Sequence, residues 1–217
     1  MVLLDILIST FTKFSMLLLG LSLFRIPLKS KWPFLLLAIF GLSCLSPLFT
    51  VLHAEAFNPF VFILLQAVIV HVMFRVRKLH SLMVAFLGAL GYTIYLAIAL
   101  FMAIRLTPVP LHDYFYGVNL LSHLLLKLIA GTLACLTSYL LVKKRLGFTV
   151  RMEPFHSSRS LRTNALMIVF FISFVLFSFT YYAVTLHMAA LFYFAGCFCM
   201  LLIGLIYLLY KKEMEER

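Results

Sequence analysis

A chain of 217 residues that is 65% hydrophobic, with a mean hydropathy of +1.12, has too few polar residues to cover a soluble domain. Its formal charge of +11 would suit a nucleic-acid surface in a soluble protein, but the 18 Lys and Arg fall between apolar runs and not in one patch, which excludes that reading and points to loops at a membrane face. No stretch could make a separate soluble domain of even about 50 residues, so the lipid bilayer is the expected solvent of one polytopic unit, at about 20 helical residues per crossing.

The pattern predicts an all-α membrane bundle of seven transmembrane helices. Helix 1 covers about Val2 to Phe24 and is followed by RIPLKSKWP, whose prolines stop it. Helix 2 covers Phe34 to Leu52, with Pro47 as a kink. Asn58-Pro59 reads as an N-cap and first helical position, opening helix 3, which reaches Phe74. After RVRKLH, helix 4 covers Ser81 to Ile104, and its Gly88 and Gly91, with Ala85 and Ala89, read as helix-packing positions. The Pro-rich, aromatic stretch RLTPVPLHDYFYGVN leads to helix 5, Val118 to Val142. The basic segment 143–164 follows, and its charge also suits anionic lipid headgroups. The run from Ala165 to Tyr210 carries no charge and is too long for one span, so it divides into helices 6 and 7 near Thr185 to Met188.

Charge sets the orientation. With the N-terminus outside, fifteen of the eighteen Lys and Arg fall inside, only Arg105 falls outside, and Lys13 and Lys127 lie within the membrane. Residues 1–210 are then one seven-helix domain in the cell membrane, N-out and C-in. Residues 211–217 form a cytoplasmic helical tail, in which Lys211–Glu215 and Lys212–Glu216 are i,i+4 pairs. The N-terminus does not read as a signal peptide, because Asp5 stands where a basic region belongs and Lys13 interrupts the apolar run. Cys44, Cys135, Cys197 and Cys199 all lie in apolar runs and read as inert buried thiols, not as a disulfide framework or a zinc site.

The two lysines carry the chemical interest. An ionisable group at the centre of a spanning helix costs about 2.5–3.5 kcal/mol and usually faces the bundle interior. Asn119, His123, Lys127 and Gly131 recur at intervals of four, and Ala134, Cys135 and Ser138 continue the line. On helix 1, Asp5, Ser9 and Lys13 repeat the arrangement, with Thr12 and Met16 adjoining and Gly20 further along. Both stripes are expected to look into the bundle, since small residues permit close approach and polar ones bond across it. No carboxylate of equal depth matches the two cations. Three resolutions stay open: the lysines bond carbonyls, Tyr, Ser and Gln66; they snorkel or give up their charge; or they accept an anionic group that enters from outside. The ligand-binding set expected on the third reading is Asp5, Lys13, Gln66, His123 and Lys127. A proton relay is a further use for such groups.

No HExxH, GxSxG, Walker or Rossmann motif occurs. His123 and Cys135 are twelve residues apart on one helix, about 18 Å along its axis, and cannot form a nucleophilic pair. The chain is therefore expected to have no catalytic residues, no metal and no cofactor.

The stretch GLSLFRIPLKSKW at 20–32, with the terminal KKEMEER, resembles the polytopic membrane sensor region of accessory-gene-regulator-type, peptide-sensing histidine kinases of Gram-positive bacteria and their relatives in spore-forming Firmicutes. The likeness covers the layout of the whole chain. It implies that GLSLFRIPLKSKW is the first cytoplasmic turn and that the tail stands where a dimerisation helix would begin. A phospho-acceptor His segment and an ATP-binding domain are missing from the pattern, so the resemblance implies a detached or stand-alone sensor module. The expected function is to bind an extracellular peptide or anionic small molecule in the outer half of the bundle and to pass the signal to a cytoplasmic kinase or regulator. The alternative is a small transporter or substrate-capture subunit, or a helper subunit of a membrane complex. Visible inverted repeats would favour transport, and none is found.

Overall fold

The structure is a computed structural model that describes residues 2–27, 31–47, 58–106, 120–148, 172–173, 175 and 191–215. Among these residues every regular element is helical. The helices are α1 (Val2–Leu23), α2 (Trp32–Cys44), α3 (Asn58–Phe74), α4 (Lys78–Leu106), α5 (Leu120–Lys143) and α6 (Leu191–Glu215). Within them, Leu3–Leu23, His80–Arg105 and Leu124–Lys143 are long and apolar enough to cross a membrane. Trp32–Cys44, Asn58–Phe74 and Gly196–Tyr207 are apolar but shorter.

Local chemistry explains most of the boundaries. α2 opens with Pro33, where a missing N–H costs nothing. It ends at Cys44, with a turn at Leu45 and helical residues again at Ser46 and Pro47; the expected continuation to Leu52 lies outside the described residues. The Pro47 ring would clash with the Ser43 carbonyl four residues back, and the helix breaks at the Leu45 turn before that clash can form. α4 begins at Lys78, three residues earlier than the pattern suggests, because the backbone N–H of Ser81 already reaches the Arg77 carbonyl at 3.0 Å. Asn58 opens α3 but does not cap it: its buried Oδ1 has no hydrogen-bond partner among the described residues. The expected turn at Thr185 to Met188 lies outside the described residues, although Ile172, Ser173 and Val175 on one side of it are helical.

α1 and α4 form the centre of the bundle. α1 packs on α2, α4 and α5, and α4 also receives α3, α5 and α6. Their shared core includes Leu17 and Leu21 of α1, Ile39 of α2, Val70 of α3, and Phe86 and Leu90 of α4. The two central helices run antiparallel at backbone contact. A Cβ on Gly20 would lie 2.1 Å from the Val84 carbonyl oxygen, and one on Gly88 would lie 2.2 Å from that of Met16.

Polarity is inverted relative to a soluble domain. Leu37 on α2, Val72 on α3 and Met200 on α6 are 75%, 68% and 74% exposed, whereas Thr12, Lys13 and Gln66 are buried. An apolar outer face with polar groups inside is the arrangement a lipid solvent favours. The cysteines follow the outer surface more than expected: all four are free thiols, and Cys44 and Cys197 are exposed.

Candidate functional site

Lys13 sits near the middle of α1, and only 7% of it is exposed. The i,i+4 relation carries its Nζ back along the helix to donate to Ser9 Oγ at 2.9 Å. The ammonium lies over the Phe62 ring of α3, 3.8 Å from the ring centroid. A desolvated contact of this kind is worth about 2 kcal/mol. One turn further along α3, Gln66 is 1% exposed and donates through Nε2 to the Lys13 carbonyl at 3.3 Å. Phe62 and Gln66 are thus neighbours on one face of α3, and both engage the same residue of α1.

Among the described residues, two buried polar atoms beside this contact have no hydrogen-bond partner: Gln66 Oε1 and Thr12 Oγ1. Thr12 is close enough to the Tyr92 hydroxyl for the two to interact, but without hydrogen-bond geometry. Neighbouring hydroxyls behave differently. Thr10 bonds the Ile6 carbonyl at 2.7 Å, Ser15 that of Thr12 at 2.8 Å and Ser22 that of Leu19 at 2.8 Å. Most buried polar groups in folded chains are paired, so two orphans flanking one buried cation mark this level of the bundle.

α5 supplies the second cation. α1 and α5 run in the same direction, because their C-terminal ends meet: Phe148 N–H donates to the Leu23 carbonyl at 2.7 Å. A Cβ on Gly131 would lie 2.5 Å from the Phe11 ring, which fixes the register. Lys127, one turn before Gly131, is therefore level with about Leu7, roughly 9 Å from Lys13 along the bundle axis. It is half-buried, and Tyr92 of α4 donates to its carbonyl at 3.4 Å. Of the expected inward stripe, Gly131, Ala134 and Ser138 are buried, and Lys127 and Cys135 are half-buried.

Asp5 is exposed near the start of α1 and is within electrostatic reach of both ammonium groups, which also repel each other. Among the described residues no ion pair forms at either lysine; Ser9 and Phe62 are the side-chain contacts of the Lys13 ammonium. The structure thus brings together Lys13 and Gln66, places Lys127 one level above them, and leaves Asp5 at the rim. His123 lies on α5, but its side chain falls outside the described residues, as does Asn119.

Phe62, Thr12 and Tyr92 complete the site; Thr12 adjoins the α1 stripe in the sequence, whereas Phe62 and Tyr92 were not singled out. The signal existed for both: Phe62 is four residues before Gln66, and Tyr92 is four after Gly88, so each shares a face with a residue already noted. Among the described residues no group of His, Cys, Asp or Glu is arranged to hold a metal. The chemistry on offer is cationic and hydrogen-bonding: two ammonium groups, an unpaired hydroxyl and an unpaired amide oxygen. The chain matches no protein-family model, no curated protein and no solved structure.

Proposed function

We propose that the chain is a multi-pass cell-membrane protein with seven spans, N-terminus outside and C-terminus inside, acting as a sensor-like module. Its core takes up an anionic group entering from the outer end, and α6 passes the change toward a cytoplasmic kinase or regulator. The reading joins the resemblance to peptide-sensing kinases with one structural observation. That observation is Lys13, buried and, among the described residues, without a carboxylate partner, beside two polar atoms that likewise find no hydrogen-bond partner there.

Physical reasoning supports an acceptor role. A buried ammonium whose contacts are one hydroxyl and one aromatic face retains donor capacity that a carboxylate or phosphate oxygen would use. Lys127, nearer the outer end, provides a first contact, and the Lys127–Lys13 sequence leads inward. The Thr12 hydroxyl donates to the same kind of oxygen. Gln66 Oε1 needs a donor, so the preferred ligand carries an N–H or O–H close to its anionic group. The C-terminus of a peptide, a carboxylate next to an amide, meets both demands.

The test uses the full chain in nanodiscs of zwitterionic lipid, with short apolar peptides bearing either a free carboxylate or a C-terminal amide. The free-carboxylate peptides are expected to raise the melting temperature more than their amides, and Lys13→Met or Lys127→Met should abolish that difference. Equal shifts for both peptide forms, or a difference that survives both substitutions, would remove the proposed role.

A further inference from the structure

α1, α3 and α5 end at the same end of the bundle, and each ends in the same way. Within two residues of each helix end stands an arginine in the left-handed region: Arg25 at φ 49°, Arg75 at φ 54° and Arg145 at φ 52°. Among the described residues these are the non-glycine positions with positive φ. At two of them the backbone closes in a Schellman arrangement. Arg25 N–H reaches Ser22 O at 3.2 Å and Ile26 N–H reaches Leu21 O at 3.0 Å; Arg145 N–H reaches Val142 O at 3.2 Å and Leu146 N–H reaches Leu141 O at 2.9 Å. Glycine is the usual residue at this position because it has no Cβ to clash. Three arginines in its place call for a reason.

Membrane topology does not supply one. A basic residue anywhere in these turns would give the same charge asymmetry, and Lys144, Lys31 and Lys78 are already there. What an arginine at the helix end adds is a guanidinium fork, which matches phosphate oxygens two at a time. All three arginines are exposed. Arg25 Nη2 also donates to the Arg145 carbonyl, and Lys31 Nζ donates to the Met73 carbonyl, so the ends of α1 and α5, and of α3 and α2, are tied together. Arg77, Lys78, Lys143 and Lys144 lie in the same turns.

This end of the bundle is strongly basic: among the described residues of 2–148 the one acid is Asp5, near the other end of α1. The aromatic residues nearby locate the cluster relative to lipid. Trp32 is 54% exposed beside Lys31, and exposed Tyr139 lies one turn before Lys143, whose Nζ is 5.8 Å from its ring centroid. Exposed Trp and Tyr mark the headgroup level of a spanning protein.

We infer that this end of the bundle docks anionic phospholipid headgroups, with Arg25, Arg75 and Arg145 as the phosphate contacts. The inference rests on the membrane placement proposed above but not on the anion-accepting core. Glycine is at ease in the left-handed region, so the Arg25→Gly, Arg75→Gly, Arg145→Gly triple variant removes the guanidinium groups while keeping the helix ends. Melting of the full chain is compared in nanodiscs of phosphatidylcholine and of phosphatidylcholine mixed with phosphatidylglycerol. The wild type is expected to melt higher in the anionic discs, by an increment that shrinks as salt screens it. The triple glycine variant should lose at least half of that increment. A Lys31→Gln, Lys78→Gln, Lys144→Gln variant, with the same charge removed, should keep most of it. No increment in the wild type, or equal losses in the two variants, would overturn the inference. So would inorganic phosphate reproducing the increment in phosphatidylcholine discs, which would make this a free-anion site. A change common to both lipids leaves the measured difference intact, and a chain that failed to enter discs would refute the membrane placement instead.

Discussion

Gln66 shows how a buried polar side chain weakens the protein that holds it. Its amide is buried, its Nε2 makes a long bond to the Lys13 carbonyl, and its Oε1 bonds nothing among the described residues. Leaving a buried acceptor unpaired costs about 1–3 kcal/mol. Gln66→Met keeps the length of the side chain, removes the orphan and fits the apolar surroundings. It is expected to raise the stability of the ligand-free chain by about 1 kcal/mol, measured by thermal unfolding, while reducing the response to free-carboxylate peptides. A loss of stability would show that Gln66 is structural and that Oε1 has a partner in the folded chain. At this scale the sequence was informative about which residues are unusual, because a lysine in an apolar run stands out by its solvation cost alone. It did not say what each lysine touches. Lys13 turned to Ser9 on its own helix and to Phe62 on another, and the second choice depends on helix pairing that no local pattern encodes.

Helix pairing is decided where two backbones meet. Gly20 and Gly88 let α1 and α4 cross with no side chain between them, and Gly91 adds a contact with the Leu19 side chain, 2.6 Å from where its Cβ would be. The glycines of α4 were legible as packing positions, since small residues spaced along an apolar helix have few other uses. Their partner was not, because Gly20 lies 68 residues away in sequence and several helices share similar small-residue faces. The prediction at this scale is a contrast. Gly88→Ala puts a methyl group 2.2 Å from the Met16 carbonyl oxygen, a rigid backbone atom, so the helices must separate. Overpacking of this kind costs about 1–3 kcal/mol. Gly41→Ala, on the open face of α2, meets nothing within 4 Å and is expected to be neutral or slightly stabilising through helix propensity. Thermal unfolding of the two single variants checks the contrast, and equal effects would mean that the α1–α4 crossing is looser than described.

At the scale of the whole molecule, alternation of helix direction is the strongest available constraint on how the chain threads. α1 and α4 are antiparallel, α1 and α5 are parallel, and the end of α3 meets the start of α2 through Lys31 and Met73. Hence α1, α3 and α5 finish where α2 and α4 begin, and that shared end carries the arginine caps. Charge asymmetry had made this alternation legible in the sequence, since the basic turns follow every second helix. The remainder was not, because the run from Ala165 to Tyr210 has neither charge nor proline to mark its division. If that run crosses twice, as proposed, Glu215 at the end of α6 returns to the side of Lys78; if it crosses once, the two lie on opposite sides. Replacing the four free cysteines by serine or alanine gives a background in which Lys78→Cys and Glu215→Cys can be labelled one at a time in cells. Both are expected to resist a membrane-impermeant maleimide until the cells are permeabilised, while Leu3→Cys, at the exposed start of α1, reacts at once. Labelling of Glu215→Cys without permeabilisation, with Lys78→Cys protected, would reduce the count to six spans. It would also place the α6 tail outside, where no cytoplasmic kinase or regulator could receive it.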